Sequence, residues 1–368
     1  MVKQRLEDLA DELRTVDDAV EVKPRKGEYP ADVFASPRTL AIKGILDISI
    51  ADLESNTSFH VGTGRAMSWS MDGQRLAVAD LDGDTGIYVV GSNAFERILD
   101  PASYNHFDVV GMKWTQEGII VVTRSKTGKT IYKVFCALVD QPQTRVEEII
   151  SSSEVISDFS ISREGILAHR DFHNATVFDL RSGIHDTLRD VVYVECTDYG
   201  STVAYEHPGE SCIHFMDFYK ETEPSQSLSP VLIPRPLILP LPEDQLFIGR
   251  AISCRKEILL HNAGSPPGGG QFKDTDQVSG ALFRRKLAGY TRINLQFPFQ
   301  NKLFRHMNAA WIPDGSAFIA QVVVCPKNDG DYFSHLLLYH PDRDKILQRL
   351  SVHKYFESMD IKPTYRLA

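Results

Sequence analysis

The chain has 368 residues, 42% of them hydrophobic, with a formal net charge of −9 and a pI near 5.7. That acidity argues against generic binding to nucleic acid or to an anionic membrane, and no apolar run reaches the roughly 18–20 residues that a spanning helix needs. Five cysteines, at 136, 196, 212, 254 and 325, are an odd number without a Cys-x-x-Cys pair, and the acidic N-terminus lacks a hydrophobic signal core; both point to reduced, buried thiols in a cytoplasmic setting.

Taken in chain order, residues 2–20 carry Leu6, Leu9, Leu13, Val16 and Val20 at three- and four-residue steps, with charged residues between them. This predicts a short N-terminal amphipathic helix within residues 1–25. It either docks on the following domain, which the shortness of the stripe favours, or serves as a partner or dimer helix. From residue 30 to 368 the pattern changes to short strands. Phe34-Ala-Ser-Pro37 leads into Thr39-Leu-Ala-Ile42 and Asp47-Ile-Ser-Ile50. The clearest unit follows: Ala66-Met-Ser-Trp69, a turn at Asp72-Gly73, Leu76-Ala-Val-Ala79, a turn at Asp82-Gly83-Asp84, Gly86-Ile-Tyr-Val-Val90 and Phe95-Glu-Arg-Ile-Leu99. Four short antiparallel strands joined by polar turns make one sheet.

The unit recurs. Trp69-Ser-Met-Asp-Gly73, Trp114-Thr-Gln-Glu-Gly118 and Trp311-Ile-Pro-Asp-Gly315 share one spacing and contain all three tryptophans. Weaker copies are Ile161-Ser-Arg-Glu-Gly165, Cys196-Thr-Asp-Tyr-Gly200 and Ile252-Ser-Cys-Arg-Lys256, the last without its glycine. Anchors fall at positions 34, 69, 114, 161, 196, 252 and 311, with successive differences of 35, 45, 47, 35, 56 and 59. A repeat of about 40–50 residues built from four strands predicts an all-β chain folded as a β-propeller. Seven blades are expected, and the irregular first copy leaves six open. Insertions account for the long intervals: the proline-rich residues 221–242, read as an extended wrap with an edge strand at Val231-Leu-Ile233, and the glycine-rich loop 263–280. Residues 354–365 are the segment expected to close the ring.

The phrase Trp-Ser-Met-Asp-Gly-Gln-Arg-Leu-Ala-Val at 69–78, with Asp-Leu-Asp-Gly-Asp and Gly-Ile-Tyr-Val-Val after it, resembles the propeller repeats of the TolB-like family, which also occur in prolyl oligopeptidase-like peptidases. The resemblance is close over 66–99, fair over 109–135 and 307–340, and loose elsewhere. WD-like repeats fit less well, because no Gly-His…Trp-Asp pair is present. The resemblance implies interaction scaffolding, or a propeller that filters access to a catalytic domain.

Chemical motifs are weak. Arg124-Ser-Lys-Thr-Gly-Lys-Thr130 lacks the first glycine of a phosphate loop and the helix that should follow it. Asp80-Leu-Asp-Gly-Asp-Thr-Gly86 lacks the glycine and acid of an EF-hand loop and reads as a turn, as does Asn328-Asp-Gly-Asp331. Ser211-Cys212 and Ser151-Ser-Ser153 read as turn residues, and no nucleophile elbow exists. No cofactor, catalytic residue or metal ligand is assigned. The expected function is non-enzymatic: a rim of second-to-third-strand turns and blade crossings that presents Arg65, His106, Arg124, His169, Arg170, His207, Arg250, Arg305 and His306 to a protein, peptide or anionic ligand. The alternative is a metal-dependent propeller hydrolase, lyase or lactonase with its site at the central funnel.

Overall fold

The computed structural model describes residues 20–22, 29, 31–45, 47–92, 94–99, 107–125, 132–138, 145–152, 158–210, 212–217, 239–240, 249–261, 277–286, 289–298, 302–326, 333–343, 345–352 and 358–365. They form seven sheets, each a four-stranded meander, and one of them carries a fifth strand. This is a seven-bladed β-propeller with one short helix, Ala31–Ala35. Blade 2 is Ala66–Trp69, Arg75–Ala79, Ile87–Gly91 and Ala94–Leu99. Blade 3 is Phe107–Trp114, Ile119–Ser125, Tyr132–Leu138 and Arg145–Ser152. Blade 4 is Asp158–Ile161, Ile166–Arg170, Ala175–Asp179 and Ile184–Leu188. Blade 5 is Tyr193–Cys196, Thr202–Glu206, Cys212–Asp217 and Leu239–Pro240. Blade 6 is Gly249–Ile252, Ile258–His261, Gln277–Lys286 and Gly289–Pro298. Blade 7 is Lys302–Trp311, Phe318–Pro326, Phe333–His340 and Lys345–Val352.

Blade 1 is assembled from both ends of the chain. Ser358–Ile361 pairs antiparallel with Thr39–Lys43, with Leu40 opposite Ile361. Asp47–Asp52 and Thr57–Thr63 complete the sheet, and Val20–Val22 adds a parallel strand to its outer edge. The closing role expected for residues 354–365 therefore falls to Ser358–Ile361. Two sequence expectations need correction here. Phe34 lies in the helix and is fully buried; it does not anchor a first strand, because blade 1 takes that strand from the C-terminal end. Val20–Val22 is a strand, so helix cannot extend through it toward residue 25; residues 2–19 lie outside the described residues. The buried Lys362 secures the closure: its Nζ donates to the carbonyls of Phe34 at 2.5 Å and Ser36 at 2.9 Å.

The second strands are largely apolar on both faces, since a blade is covered on both sides, whereas the outer strand Ile184–Leu188 is exposed. In blade 3, Ile119 and Val121 pack with Ala77, Val89 and Trp114, while Ile120 and Val122 pack with Ile161 and Leu167 of blade 4. Alternate side chains of one strand thus serve two interfaces. The same logic joins blade 4 to blade 5 through Val177, Val194 and Val203, and blade 6 to blade 7 through Leu259, Leu282, Trp311 and Phe318. Blade 7 meets blade 1 through Ile319, Leu338, Leu40 and Ile361.

The three tryptophans end the first strands of blades 2, 3 and 7, and each is at most 6% exposed. Trp311 Nε1 donates to the Ala251 carbonyl of blade 6 at 2.9 Å, and Arg75 of blade 2 covers the Trp114 ring at 5.0 Å. After each anchor the repeated phrase makes the first-to-second-strand turn. Its glycine takes a positive φ, 67° at Gly73 and at Gly315. Lys256, where the glycine is missing, adopts φ 61° all the same.

The proline-rich segment contributes Leu239–Pro240 as the fourth strand of blade 5, opposite Cys212 and Ile213; Val231–Ile233 lies outside the described residues. The glycine-rich loop is shorter than expected, since residues 277–280 already belong to the third strand of blade 6. By compactness the chain divides into two units, Met1–Thr63 with Gln245–Lys286 and Tyr290–Ala368, and Gly64–Asp244 with Leu287–Gly289. Blades 2 to 5 belong to the second unit.

Candidate functional site

The predicted rim residues of blades 2 to 5 in the described part lie at one topological end of their own blade, where the first strand starts and the second ends. Arg65 immediately precedes the first strand of blade 2. Arg124 is exposed and lies near the end of the second strand of blade 3, opposite Asp108. His169 and Arg170 end the second strand of blade 4, with Arg170 opposite Asp158. His207 follows the second strand of blade 5. Arg250 lies on the first strand of blade 6, and Arg305 and His306 at a bulge in the first strand of blade 7. His106 lies outside the described residues.

Within blades 2 to 5 these residues do not share one chemistry. Arg65, 47% exposed, is held between two blades: Nε is 3.2 Å from Asp80 and Nη1 is 2.5 Å from Asp108. Its charge is neutralised locally, so it ties blade 2 to blade 3. The Asp80 side chain also accepts the Gly86 N–H at 3.1 Å, which makes the acidic loop 80–86 a closed turn. His169 stacks on Phe178 at 5.6 Å; burial pushes its pKa below 6.5, and the Asp171 charge opposes this.

Within blades 2 to 5, the second-to-third-strand turn of blade 4 and the crossing after it carry the exposed large apolar groups of this end among the described residues. Asp171 accepts the N–H groups of His173 at 2.7 Å and Asn174 at 2.6 Å, which folds residues 171–174 into a tight turn. Burial raises the Asp171 pKa, but those backbone donors and the nearby imidazoles outweigh it and hold it below the usual carboxylate range. Phe172 at the tip is 68% exposed. The Val191 N–H bonds the His173 carbonyl at 2.8 Å, bringing the crossing into blade 5, with Val192 at 45% exposure, against this turn. Arg170 and Arg189 flank the pair in sequence, two residues before Phe172 and three before Val192.

The corresponding turn of blade 5 gathers titratable groups. His214 Nε2 donates to Glu210 Oε2 at 2.7 Å, and Cys212 Sγ lies 3.3 Å from His214 Nε2 and 3.4 Å from Glu210 Oε2. These bonds hold the Glu210 pKa low, while burial, then the hydrogen bond to Glu210 and its charge, push the Cys212 thiol up. Tyr205 stacks on His214 at 5.2 Å, and burial followed by Glu210 raises its phenol. The expectation that the cysteines are buried holds for Cys136 and Cys196 but fails for Cys212, which is half-buried, and for Cys254, which is exposed. Cys254 occupies the turn after the first strand of blade 6, with its Sγ 3.4 Å from the Pro313 carbonyl.

Two features went unread in the sequence. The second position of the turn phrase is a buried hydroxyl in five copies: Ser70, Thr115, Ser162, Thr197 and Ser253. Ser162 Oγ accepts the Ile166 N–H and Ser253 Oγ the Glu257 N–H, both at 3.0 Å. Comparing the copies column by column would have exposed it. The other is Arg163, fully buried, whose Nη1 donates to the carbonyls of Trp69 at 2.7 Å and Trp114 at 3.4 Å. Arginine at that position is confined to one copy, so the repeat gave no signal for it.

No protein-family model matches the chain, and no curated protein matches it in sequence. WD40-type solved structures are among its structural neighbours. The WD40 domain of SCAP from fission yeast aligns at TM-score 0.47 and 9% identity, over 87% of this chain and 85% of that one. A chain of a mitotic checkpoint complex aligns at 0.47 and 12%, over 88% and 90%. Sqt1 of Chaetomium thermophilum, solved with the N-terminus of ribosomal protein L10, aligns at 0.43 and 13%, over 77% and 73%. At this level of likeness none of them carries an inference about what the chain binds. No helix among the described residues is long and apolar enough to cross a membrane.

Proposed function

We propose that this propeller is a binding module that docks a protein partner on the turn-and-crossing end of blades 4 and 5. The observation that carries the reading is the exposed pair Phe172 and Val192, held against each other's loops by the Val191–His173 hydrogen bond. Solvating a large aromatic at 68% exposure is unfavourable, and aromatic anchors ringed by polar groups dominate protein interfaces. Arg170, His173 and Arg189 neighbour the pair in sequence, while the Asp171 carboxylate is occupied by backbone donors. The surface therefore favours a partner that offers an apolar pocket bordered by acidic residues. Arg65 drops out of the charge argument, because Asp80 and Asp108 already engage it. The TolB-like reading of the repeats and the cytoplasmic setting belong to the same proposal, resting on the tryptophan phrase and the unpaired number of cysteines.

The funnel-enzyme alternative gains nothing from the described residues. Their cluster of metal-ligand type side chains, Glu210, Cys212 and His214, stands on the third strand of blade 5 and the turn before it, not on a first strand.

The test is co-purification from the native host with wild-type protein and with Phe172→Ala, followed by titration of the captured partner. An anchor truncation of this kind costs about 2 kcal/mol or more, roughly thirtyfold in affinity. Phe95→Ala, at an exposed aromatic on the outer strand of blade 2, should leave binding intact. Equal binding by wild type and Phe172→Ala would refute the docking assignment.

A further inference from the structure

The hairpin His207-Pro-Gly-Glu-Ser-Cys-Ile-His214 of blade 5 assembles donor atoms of three chemical types on one side. We propose that it is a zinc-type transition-metal site, with Glu210, Cys212 and His214 as ligands and a fourth position that His207 can fill by a shift of its ring. The inference is independent of the docking surface.

The ligand types fit. Imidazole, thiolate and carboxylate are the three side-chain donors of protein zinc, and a cysteine in the set selects against calcium and magnesium. The spacing is a consequence of the strand: Cys212 and His214 are two residues apart on Cys212–Asp217 and project to the same face. The turn brings Glu210 alongside them. All three donor atoms lie within 4.8 Å of one another.

The distances fit a site closed by hydrogen bonds that a metal would replace. Bonds of about 2.3 Å to sulfur and 2.0–2.1 Å to nitrogen and oxygen, at tetrahedral angles, separate S from N or O by roughly 3.5 Å and N from O by roughly 3.3 Å. The structure has S···N at 3.3 Å and S···O at 3.4 Å, both close to those values. Only the 2.7 Å N···O separation must open, and Glu210 is exposed at the hairpin tip, where its side chain can turn.

His207 is the candidate for the fourth position, reached by a shift of its ring, since it stands outside the group whose donor atoms lie within 4.8 Å of one another. Its Nδ1 lies 2.8 Å from the Asp190 carbonyl, which can only accept, so that nitrogen carries the proton and the neutral ring leaves the Nε2 lone pair available. Two imidazoles on one tetrahedral zinc place their ring centres roughly 5 Å apart. The centres of His207 and His214 are 5.3 Å apart with the rings inclined at 70°. Tyr205, stacked on His214 and edge-on to His207, fixes both rings. Binding replaces the thiol proton of Cys212 by the metal and releases it to solvent, so affinity rises with pH.

The test uses the full chain, stripped with chelator and titrated with Zn²⁺ or Co²⁺ chloride. The expected result is one metal per chain after dialysis and a Co²⁺ spectrum with intense tetrahedral bands and a thiolate charge-transfer band. Cys212→Ser should remove the charge-transfer band. Cys212→Ser and His214→Ala should each weaken binding by at least the roughly 10–100-fold that loss of a ligand's supporting partner costs. Cys254→Ser, at an exposed thiol of blade 6, should change nothing. Thermal melts without metal check that the variants fold, and Glu210→Gln, at an exposed position, supplies a further variant. Sub-stoichiometric binding by wild type, a Co²⁺ spectrum without the thiolate band, or binding that survives both Cys212→Ser and His214→Ala would each overturn the proposal.

Discussion

Replacing Arg163 by methionine should destabilise the protein by about 2 kcal/mol, the strength of one hydrogen bond from a charged donor. Arg163 belongs to blade 4, yet its Nη1 reaches the carbonyls that end the first strands of blade 2, Trp69 at 2.7 Å, and blade 3, Trp114 at 3.4 Å. Its Nε lies 3.8 Å from Asp198 of blade 5, and its guanidinium faces the Tyr199 ring at 5.6 Å. One side chain thus joins the turns of four successive blades. A hydrogen bond from a charged donor contributes about 1.5–3 kcal/mol. The short bond to the Trp69 carbonyl has that strength, and the longer one to Trp114 adds little. Methionine keeps the apolar stem and recovers the cost of burying a cation, which for a lone ion pair can cancel the loss. Cancellation fails here because the two carbonyls stay behind without this donor. Asp198 adds little to the loss, being 35% exposed and paired with Lys113 at 2.5 Å. Urea denaturation at neutral pH measures the change, and a difference within about 0.5 kcal/mol of wild type would refute the reasoning.

Lys256→Gly should stabilise the protein by up to about 1 kcal/mol in the same assay, because Lys256 holds φ 61° where the repeat elsewhere uses glycine; a destabilised variant would contradict this. Burial lowers the folded-state pKa of His169 below its ordinary 6.5. The unfolded chain therefore takes up this proton first, so the contribution is complete above 6.5 and is lost as pH falls through 6.5 toward the lower folded value. His169→Gln should show a shallower loss of stability over that interval, and parallel pH profiles would contradict the assignment.

The sequence made the architecture legible wherever the turn phrase survived. A large apolar residue, two intervening positions and an acid before glycine encode a first strand that ends at a blade interface and a turn that needs φ > 0. Loss of the glycine at Lys256 did not hide the unit, because Glu257-Ile-Leu-Leu260 kept the strand pattern. Blade 1 was misread at Phe34 because its first strand is supplied from the opposite end of the chain, by Ser358–Ile361, and pairing at that distance leaves no local mark. The rim could not be read as a charge pattern. Arg65 is neutralised by Asp108, 43 positions further on, a partner set by blade packing alone. Of the Glu210–Cys212–His214 group the sequence reading singles out only Ser211-Cys212, as turn residues, since the group's convergence depends on the pitch of one hairpin.

The central claim is a first blade completed by the C-terminal strand, and a cross-link tests it most directly. Lys43 and Ser358 are register partners at the exposed end of that pairing. Cross-strand partners have Cα atoms about 4.5–5.5 Å apart, within the roughly 4.4–6.8 Å that a disulfide spans. Lys43→Cys with Ser358→Cys, in a background lacking the thiols of Cys212 and Cys254, should oxidise to an intramolecular bond. The product should run as a compact monomer under denaturing, non-reducing conditions and melt at or above the temperature of the reduced form. Cross-linking only between chains, or none at all, would contradict the closure.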